Sequence, residues 1–402
     1  MKINSKDFFY PPISNSNISL IYPWNNWVVD LLALISTVIS SGKFREKQIS
    51  LLQKIFDHKN IFFTNSGRAA LTLALKSLYL PKNSEVLLTS FNCPAVIDSI
   101  ISANATPVFI DINHYGGIAI ENAKKALSKK TKAIIVTNIY GLTDDLHSLE
   151  KFCRDNNLYL INDLAQTFDN FNSKNKLNKY GDLSIYSFGP KKHLFSLGGG
   201  CVMVNNKSLL ENVKKLYPKK INNNFNVVNL FLQRCFYYFK FNINRFAPQL
   251  IRLNSKKTKN DINKSIFIDI SQINTSQLSS LVHKMRTYNK YYVFSQENFD
   301  LLRSNLKFKV IYNKNYHISL PLYATIKLSK QERYSLALYL DRHGIASTWN
   351  YLPLYYYYAY KKYKVIAKSQ SEDMWRKVLS VPFRYPLDKQ MIKKIINIIN
   401  SY

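Results

Sequence analysis

Lys192 closes the stretch Ser187-Phe188-Gly189-Pro190-Lys191-Lys192, and Gly198-Gly199-Gly200 follows it. Upstream, Asp163 stands in Asn162-Asp163-Leu164-Ala165-Gln166. These residue types in this order suit pyridoxal phosphate chemistry. A lysine amine can form an imine with a carbonyl cofactor, an aspartate can keep a pyridine nitrogen protonated, and a serine at a turn can bind a phosphate. Such a lysine must be fixed in place and partly shielded, so that its amine can be neutral. Glycines on both sides of Lys192 permit that close approach, whereas Lys191 reads as a solvated surface residue. Asp163 ends an apolar strand, where a carboxylate is costly to bury unless paired. Gln166, three residues on, is a candidate for the cofactor's phenolic oxygen.

A second phosphate element is Ser66-Gly67-Arg68, which opens a helix. Backbone N–H groups and the helix dipole favour an anion at that end, and an arginine can add a charge-assisted bond. Ser187 would give its hydroxyl to the same phosphate. His193 reads as a wall of the pocket. The histidines show neither HxH nor HExxH spacing, so no metal site is expected.

The elements that must position these residues alternate. Helical patterns at Arg68–Tyr79, Ala95–Ala103, Ala123–Leu127 and Leu146–Asn156 are interleaved with apolar strands at Glu85–Thr89, Pro107–Asp111, Ala133–Asn138 and Leu158–Asn162. Short β-branched strands without polar alternation suit a parallel sheet covered on both faces. Ligands of such sheets bind at the carboxyl ends of the strands, where Gly67, Asn138 and Asp163 fall. Residues 206–262 are basic, Asn-rich and aromatic, and read as an insert. A second αβ segment begins near 265 with a helix at Gln277–Phe294. The expected division is therefore 1–262 for a large cofactor-binding domain and 263–402 for a smaller C-terminal α+β domain.

A chain of 402 residues, 46% of them hydrophobic, suits two folded domains and excludes a largely disordered protein. No signal peptide or membrane-spanning run is read, and Cys93, Cys153, Cys201 and Cys235 lack CxxC spacing. These features give a cytoplasmic expectation. The net charge of +31 would attract any polyanion. Its lysines are spread along the whole chain, and no groove-reading or stacking module is present, so no nucleic-acid partner is expected. The aromatic, basic stretch 226–245 could lie peripherally on an anionic membrane, or simply cover the core or a partner subunit.

With these residues assembled, the chain resembles the DegT-type (DegT/DnrJ/StrS) pyridoxal-phosphate-dependent sugar aminotransferases. The resemblance rests on Asn65-Ser66-Gly67-Arg68-Ala69-Ala70-Leu71, Pro107-Val108-Phe109-Ile110-Asp111, Tyr140-Gly141, Asp163-Leu164-Ala165-Gln166, Gly181-Asp182 and Ser187 through Lys192 to Gly200. Tyr351-Leu352-Pro353-Leu354 and Leu379-Ser380-Val381-Pro382 extend it toward the C-terminus. It implies an α/β fold of fold-type I, with a mostly parallel seven-stranded sheet. It implies amine transfer, commonly from glutamate, to a nucleotide-linked keto-sugar for surface polysaccharide or lipopolysaccharide. It also implies a homodimer. Lys192 would then carry the cofactor and shuttle a proton. Asp163 would hold the pyridine nitrogen, Gln166 the phenolic oxygen, and Ser66, Gly67, Arg68 and Ser187 the phosphate. Cys93 would lie over the ring, where the family often has an aromatic side chain. Tyr351, Tyr355 and His193 would face substrate, Tyr355 standing where a histidine is common. Arg68 replaces a usual threonine and Asn138 a usual histidine. Two alternatives stay open: a same-fold protein that binds cofactor or sugar with weak turnover, and a pyridoxal-phosphate-dependent sugar dehydratase, which has a histidine in place of the lysine.

Overall fold

The alternating apolar strands pair into one sheet. In the computed structural model, which describes residues 27–39, 42–142, 144–169, 171, 173–174, 176–189, 192–222, 227–229, 231–232, 235, 268–312, 319–384 and 387–402, its spatial order is β1-β8-β7-β5-β4-β2-β3. The strands are β1 (Ile61–Thr64), β2 (Glu85–Thr89), β3 (Thr106–Ile110), β4 (Thr131–Thr137), β5 (Tyr159–Asp163), β7 (Leu183–Ser187) and β8 (Gly200–Val204). Pairing is parallel from β7 through β5, β4 and β2 to β3, and β8 runs antiparallel to both of its neighbours. The strands are buried on both faces, as their unbroken apolar runs predict.

Helices cover this sheet: α2 (Gly42–Phe56), α3 (Gly67–Ser77), α4 (Pro94–Ser102), α5 (Ile120–Ala126), α6 (Leu146–Asp155) and α7 (Leu210–Leu216), while α1 (Trp27–Ile39) packs on the long helix that opens the C-terminal part. The helix α3 is buried on nearly every side from Ala69 to Leu75, which explains its Ala/Leu composition. Each such leucine contributes about 1.5–3 kcal/mol of burial. A short strand β6 (Phe168–Asp169) leaves the sheet and pairs with β10 (Ser319–Leu320) of the C-terminal part.

The C-terminal part starts from α8 (Thr275–Asn305). It adds an antiparallel sheet of order β12-β11-β9 from β9 (Val310–Ile311), β11 (Ala324–Lys327) and β12 (Val378–Val381). Helices α9 (Lys330–Arg342), α10 (Ser369–Lys377) and α11 (Lys389–Ser401) complete it. The helix α8 is longer than the Gln277–Phe294 expected from sequence, because both of its ends have apolar cover. Its first half packs on the large part, where Tyr288 donates its hydroxyl to the Asp169 carbonyl at 2.7 Å. Its second half meets the small part, where Asn298 Nδ2 donates to the Phe383 carbonyl at 3.1 Å. The expected boundary at 262 falls outside the described residues.

Two polar ties fix the parts together. Asp111, just past β3, accepts the N–H groups of Gln370 at 2.9 Å and Ser371 at 2.8 Å, so it satisfies the first turn of α10. Lys284 on α8 and Asp30 on α1 form a buried ion pair at 2.9 Å, and Lys284 also donates to the Phe195 carbonyl at 2.5 Å. Removing one partner of such a pair leaves an uncompensated buried charge, a cost of about 3–5 kcal/mol. Through Phe195 this pair braces the loop that follows Lys192. Among the described residues, no helix is long and apolar enough to cross a membrane.

Candidate active site

The site forms where β4, β5 and β7 end and α3 begins. Asp163 is the last residue of β5 and pairs in register with Thr137, the last of β4. Its carboxylate is buried. Oδ1 accepts from the Ala165 N–H at 3.0 Å and Oδ2 from the Thr137 hydroxyl at 3.3 Å. Burial raises its pKa above the usual carboxylate range, while the Ala165 N–H and the nearby Lys192 charge oppose that rise. Two ionised oxygens offer roughly four acceptor positions, so a further cationic N–H donor fits.

Lys192 lies in the loop between β7 and β8. The loop is held at several points: Phe188 N donates to the Gly199 carbonyl at 2.8 Å, Ser196 N to the Phe188 carbonyl at 3.1 Å, and Gln277 Nε2 to the Leu197 carbonyl at 2.8 Å. Lys192 itself is half-buried. Burial lowers its pKa, with Cys93 and Asp163 acting in the opposite sense. Both of those groups therefore lie near enough to act on the amine. Pro190 and Lys191 lie outside the described residues.

The phosphate cradle is defined by crowding. A Cβ at Gly67 would sit 2.5 Å from Ser187 Cβ and 2.6 Å from its Oγ. The start of α3 and the end of β7 thus approach as closely as a glycine permits. Ser66 uses its hydroxyl to cap α3, accepting from Ala69 N at 3.1 Å. That leaves the backbone N–H groups of Gly67 and Arg68 at the positive end of the helix. The Arg68 guanidinium points elsewhere: it is half-exposed and lies 4.0 Å from Asp98, which also accepts from the Tyr360 hydroxyl at 2.6 Å. Asp98 on α4 is thus the carboxylate nearest the guanidinium.

Gln166 is buried and its Oε1 accepts from Tyr140 N at 3.0 Å, so Nε2 is the end left to donate. Tyr351 stacks edge-on with Phe91, centroids 6.2 Å apart, two residues from Cys93. Tyr355 turns its hydroxyl to Glu372 at 3.3 Å rather than toward Lys192. His193 is buried and its Nδ1 lies 3.0 Å from Arg384 Nη1. Burial, then the neighbouring Arg384 and Lys192 charges, hold its pKa well below the ordinary value. The imidazole is therefore neutral. An arginine only donates, so Nδ1 accepts and the ring proton sits on Nε2.

Asn92 and Thr137 near Asp163, and Arg384 beside His193, were not read from sequence. Asn92 Nδ2 donates to Thr137 Oγ1 at 3.0 Å, which aims the threonine hydroxyl at Asp163. The strand-end register of Thr137 with Asp163 was a usable signal for the threonine. Arg384 carried none, because its partner His193 is distant in sequence.

Residues 31–231 match the sequence profile of the DegT/DnrJ/EryC1/StrS aminotransferase family. The chain belongs to this family. It is 30% identical over 180 residues to a GDP-perosamine synthase of Vibrio cholerae, covering 44% of this chain and 49% of that protein. It is 31% identical over 147 residues to a UDP-N-acetyl-3-dehydro-alpha-D-glucosamine 3-aminotransferase of Acidithiobacillus ferrooxidans, covering 36% and 40% of the two chains. The chain thus spans about half or less of the length of these curated relatives. The crystal structure of a DegT/DnrJ/EryC1/StrS aminotransferase from Brucella abortus superposes with a TM-score of 0.71 at 20% identity, over 93% of this chain and 95% of that one. That likeness shows the fold: an α/β architecture of fold-type I, as the sequence resemblance implied.

Proposed function

We propose that this protein is a pyridoxal-phosphate-dependent aminotransferase that passes an amino group from an amino acid, glutamate being the expected donor, to a nucleotide-linked keto-sugar destined for surface polysaccharide. The observation that supports the reading is the nearness of Lys192 to Asp163 and Cys93, together with the close approach of Gly67 and Ser187 at the start of α3. A bound pyridoxal phosphate supplies an electron sink that lets a C–H bond beside nitrogen ionise. The chain's residues do the rest. Asp163, buried and underbonded, pairs a pyridinium N–H. Ser187 and the N–H groups of Gly67 and Arg68 hold the phosphate. Gln166 Nε2 donates to the phenolic oxygen. Lys192, whose pKa burial lowers, attaches the cofactor and moves the proton at the substrate carbon. His193 does not replace that lysine, because its ring is committed to Arg384, which favours transamination over dehydration.

The test is direct. Holoenzyme reduced with borohydride should carry its cofactor on Lys192 by peptide mapping, and glutamate should bleach the visible band. Absence of a band with added cofactor would refute the reading.

The same reading includes a homodimer and peripheral contact with anionic membrane. Residues 226–245, named for that contact, lie mostly outside the described residues. Support comes from the +31 net charge and from exposed Val28, Leu32 and Ile35 on α1, beside exposed Val228 and Leu232. Liposome flotation with and without α1 leucines changed to serine tests it; equal flotation would end the idea.

The cradle makes one sharp prediction. Gly67→Ala forces its new methyl into Ser187, so the dissociation constant for pyridoxal phosphate should rise about tenfold or more by equilibrium dialysis. Adding Ser187→Gly should relieve the clash yet leave affinity short by one hydroxyl.

A further inference from the structure

Resting on the aminotransferase reading above, we propose that Lys284 is a positioning residue for Lys192, acting through the backbone of the loop between β7 and β8, with Asp30 of α1 as its counter-ion. Residues 193–198 of that loop form neither helix nor strand, yet all are buried. Leu197 stands at φ +59°, followed by Gly198 at +92° and Gly199 at +106°. A leucine holds left-handed backbone only where its surroundings fix it. The helix α8 supplies that hold. Gln277, Ser280 and Lys284 recur at helical spacing on one face, and all are buried. Gln277 Nε2 donates to the Leu197 carbonyl at 2.8 Å. Lys284 Nζ donates to the Phe195 carbonyl at 2.5 Å and lies 5.2 Å from the centroid of that residue's ring. An ammonium has three donors, so it can serve a carbonyl and a carboxylate together. The carboxylate is that of Asp30, with Oδ1 at 2.9 Å and Oδ2 at 3.2 Å, and Ser280 Oγ also donates to Oδ1 at 2.5 Å. A buried ammonium is costly without such a partner, so α1 sustains the charged tie. It also reaches the loop directly, since Leu34 packs on the cluster of Leu197, Val227 and Phe231.

An ion pair that served stability alone would need no contact with the loop. Here the ammonium divides its donors between the carboxylate and a carbonyl three residues after Lys192. A charge-assisted bond is roughly twice as strong as a neutral one, so this tie outweighs the amide bond at Leu197. Its consequence falls on the Lys192 amine. Burial lowers the pKa of that amine, Cys93 and Asp163 act in the opposite sense, and its charge is felt by His193. A loosened loop would admit water and undo part of the effect of burial. It would also let the amine stray, and a misplacement of about 1 Å can cost about a hundredfold in rate.

The experiment compares the wild type, Lys284→Met and the double variant Asp30→Asn with Lys284→Met. Methionine fills most of the lysine's space and removes the donor. The single variant strands a buried carboxylate and should melt well below the wild type. The double variant removes both charges, so its melting temperature should return most of the way. The loop should not recover with it. In both variants, without cofactor, amide hydrogen exchange across residues 193–199 should quicken about ten- to a hundredfold, the loss of one charged hydrogen bond. In the holoenzymes, turnover should fall about tenfold or more, with KM for glutamate and for the keto-sugar within about twofold of wild type. The pH at which cofactor attaches to Lys192 at half its maximal rate should move up, toward that of an ordinary lysine. A double variant that regained stability together with wild-type exchange, turnover and attachment pH would make the pair purely structural and overturn the proposal. Exchange that quickened evenly over the whole chain would overturn it too, as would faster loop exchange with unchanged turnover and attachment pH. A wild-type protein without a visible band would instead defeat the aminotransferase reading, while loop exchange, which needs no cofactor, would still decide whether Lys284 holds the loop.

Discussion

Lys192→Ala should lower amine transfer by on the order of ten-thousandfold, the combined loss of the attaching amine and of the proton carrier. The variant should still bind pyridoxal phosphate through the Gly67–Ser187 cradle and Asp163, but borohydride should fix nothing to the protein. Its melting temperature without cofactor should equal or exceed that of the wild type. The reason is electrostatic. Burial lowers the Lys192 pKa, so the folded protein disfavours the charged amine relative to the unfolded chain. For a group lowered in this way, stability increases as pH rises through the window between the folded and unfolded values. Alanine removes that slope. Stability measured by urea unfolding from pH 7 to pH 10 should therefore rise less in the variant than in the wild type. A variant that retained a borohydride adduct would point to a different lysine.

What the sequence disclosed about this site follows from how local each signal is. Asp163 was legible because the apolar run of β5 ends in it, and only a strand end exposes a carboxylate to a ligand without exposing the strand. Ser66-Gly67 was legible as a helix start, though sequence could not tell that the glycine is compelled by Ser187, which arrives from β7. The approach of the Arg68 guanidinium to Asp98, one helix away, was silent in any motif. The helix α1 escaped notice altogether. Its apolar run offers no cap or motif, and the meaning of Asp30 appears only with Lys284, which lies far along the chain. Arg384 is a similar case, since a contact across 191 positions leaves no periodicity to read. Strands β2 to β5 of the parallel sheet, by contrast, were legible, because burial on both faces imposes apolar runs on them, whereas β7, with Ser184 and Ser187 among its five residues, was not read.

Asp163→Asn should separate stability from catalysis with opposite signs. The carboxylate is buried, receives one N–H and one hydroxyl, and burial raises its pKa. A raised carboxyl binds more protons folded than unfolded, so its contribution to stability is lost as pH climbs above the unfolded value. Replacing it with an isosteric amide removes that penalty while Oδ1 keeps the Ala165 bond. The cofactor-free variant should thus be more stable than the wild type at pH 7.5, with the gap closing toward pH 4 in urea unfolding. Turnover should move the other way. An amide cannot offset a positive pyridine nitrogen, and losing such a preorganised charge in a water-poor site costs about a hundred- to a thousandfold. Thr137→Val gives the companion measurement: it deletes the hydroxyl that Asn92 aims at Asp163 without touching the charge, so it should lower turnover far less than Asp163→Asn. If both variants lost activity equally, the hydroxyl rather than the carboxylate charge would be the decisive group, and the role assigned to Asp163 would pass to the Asn92–Thr137 pair.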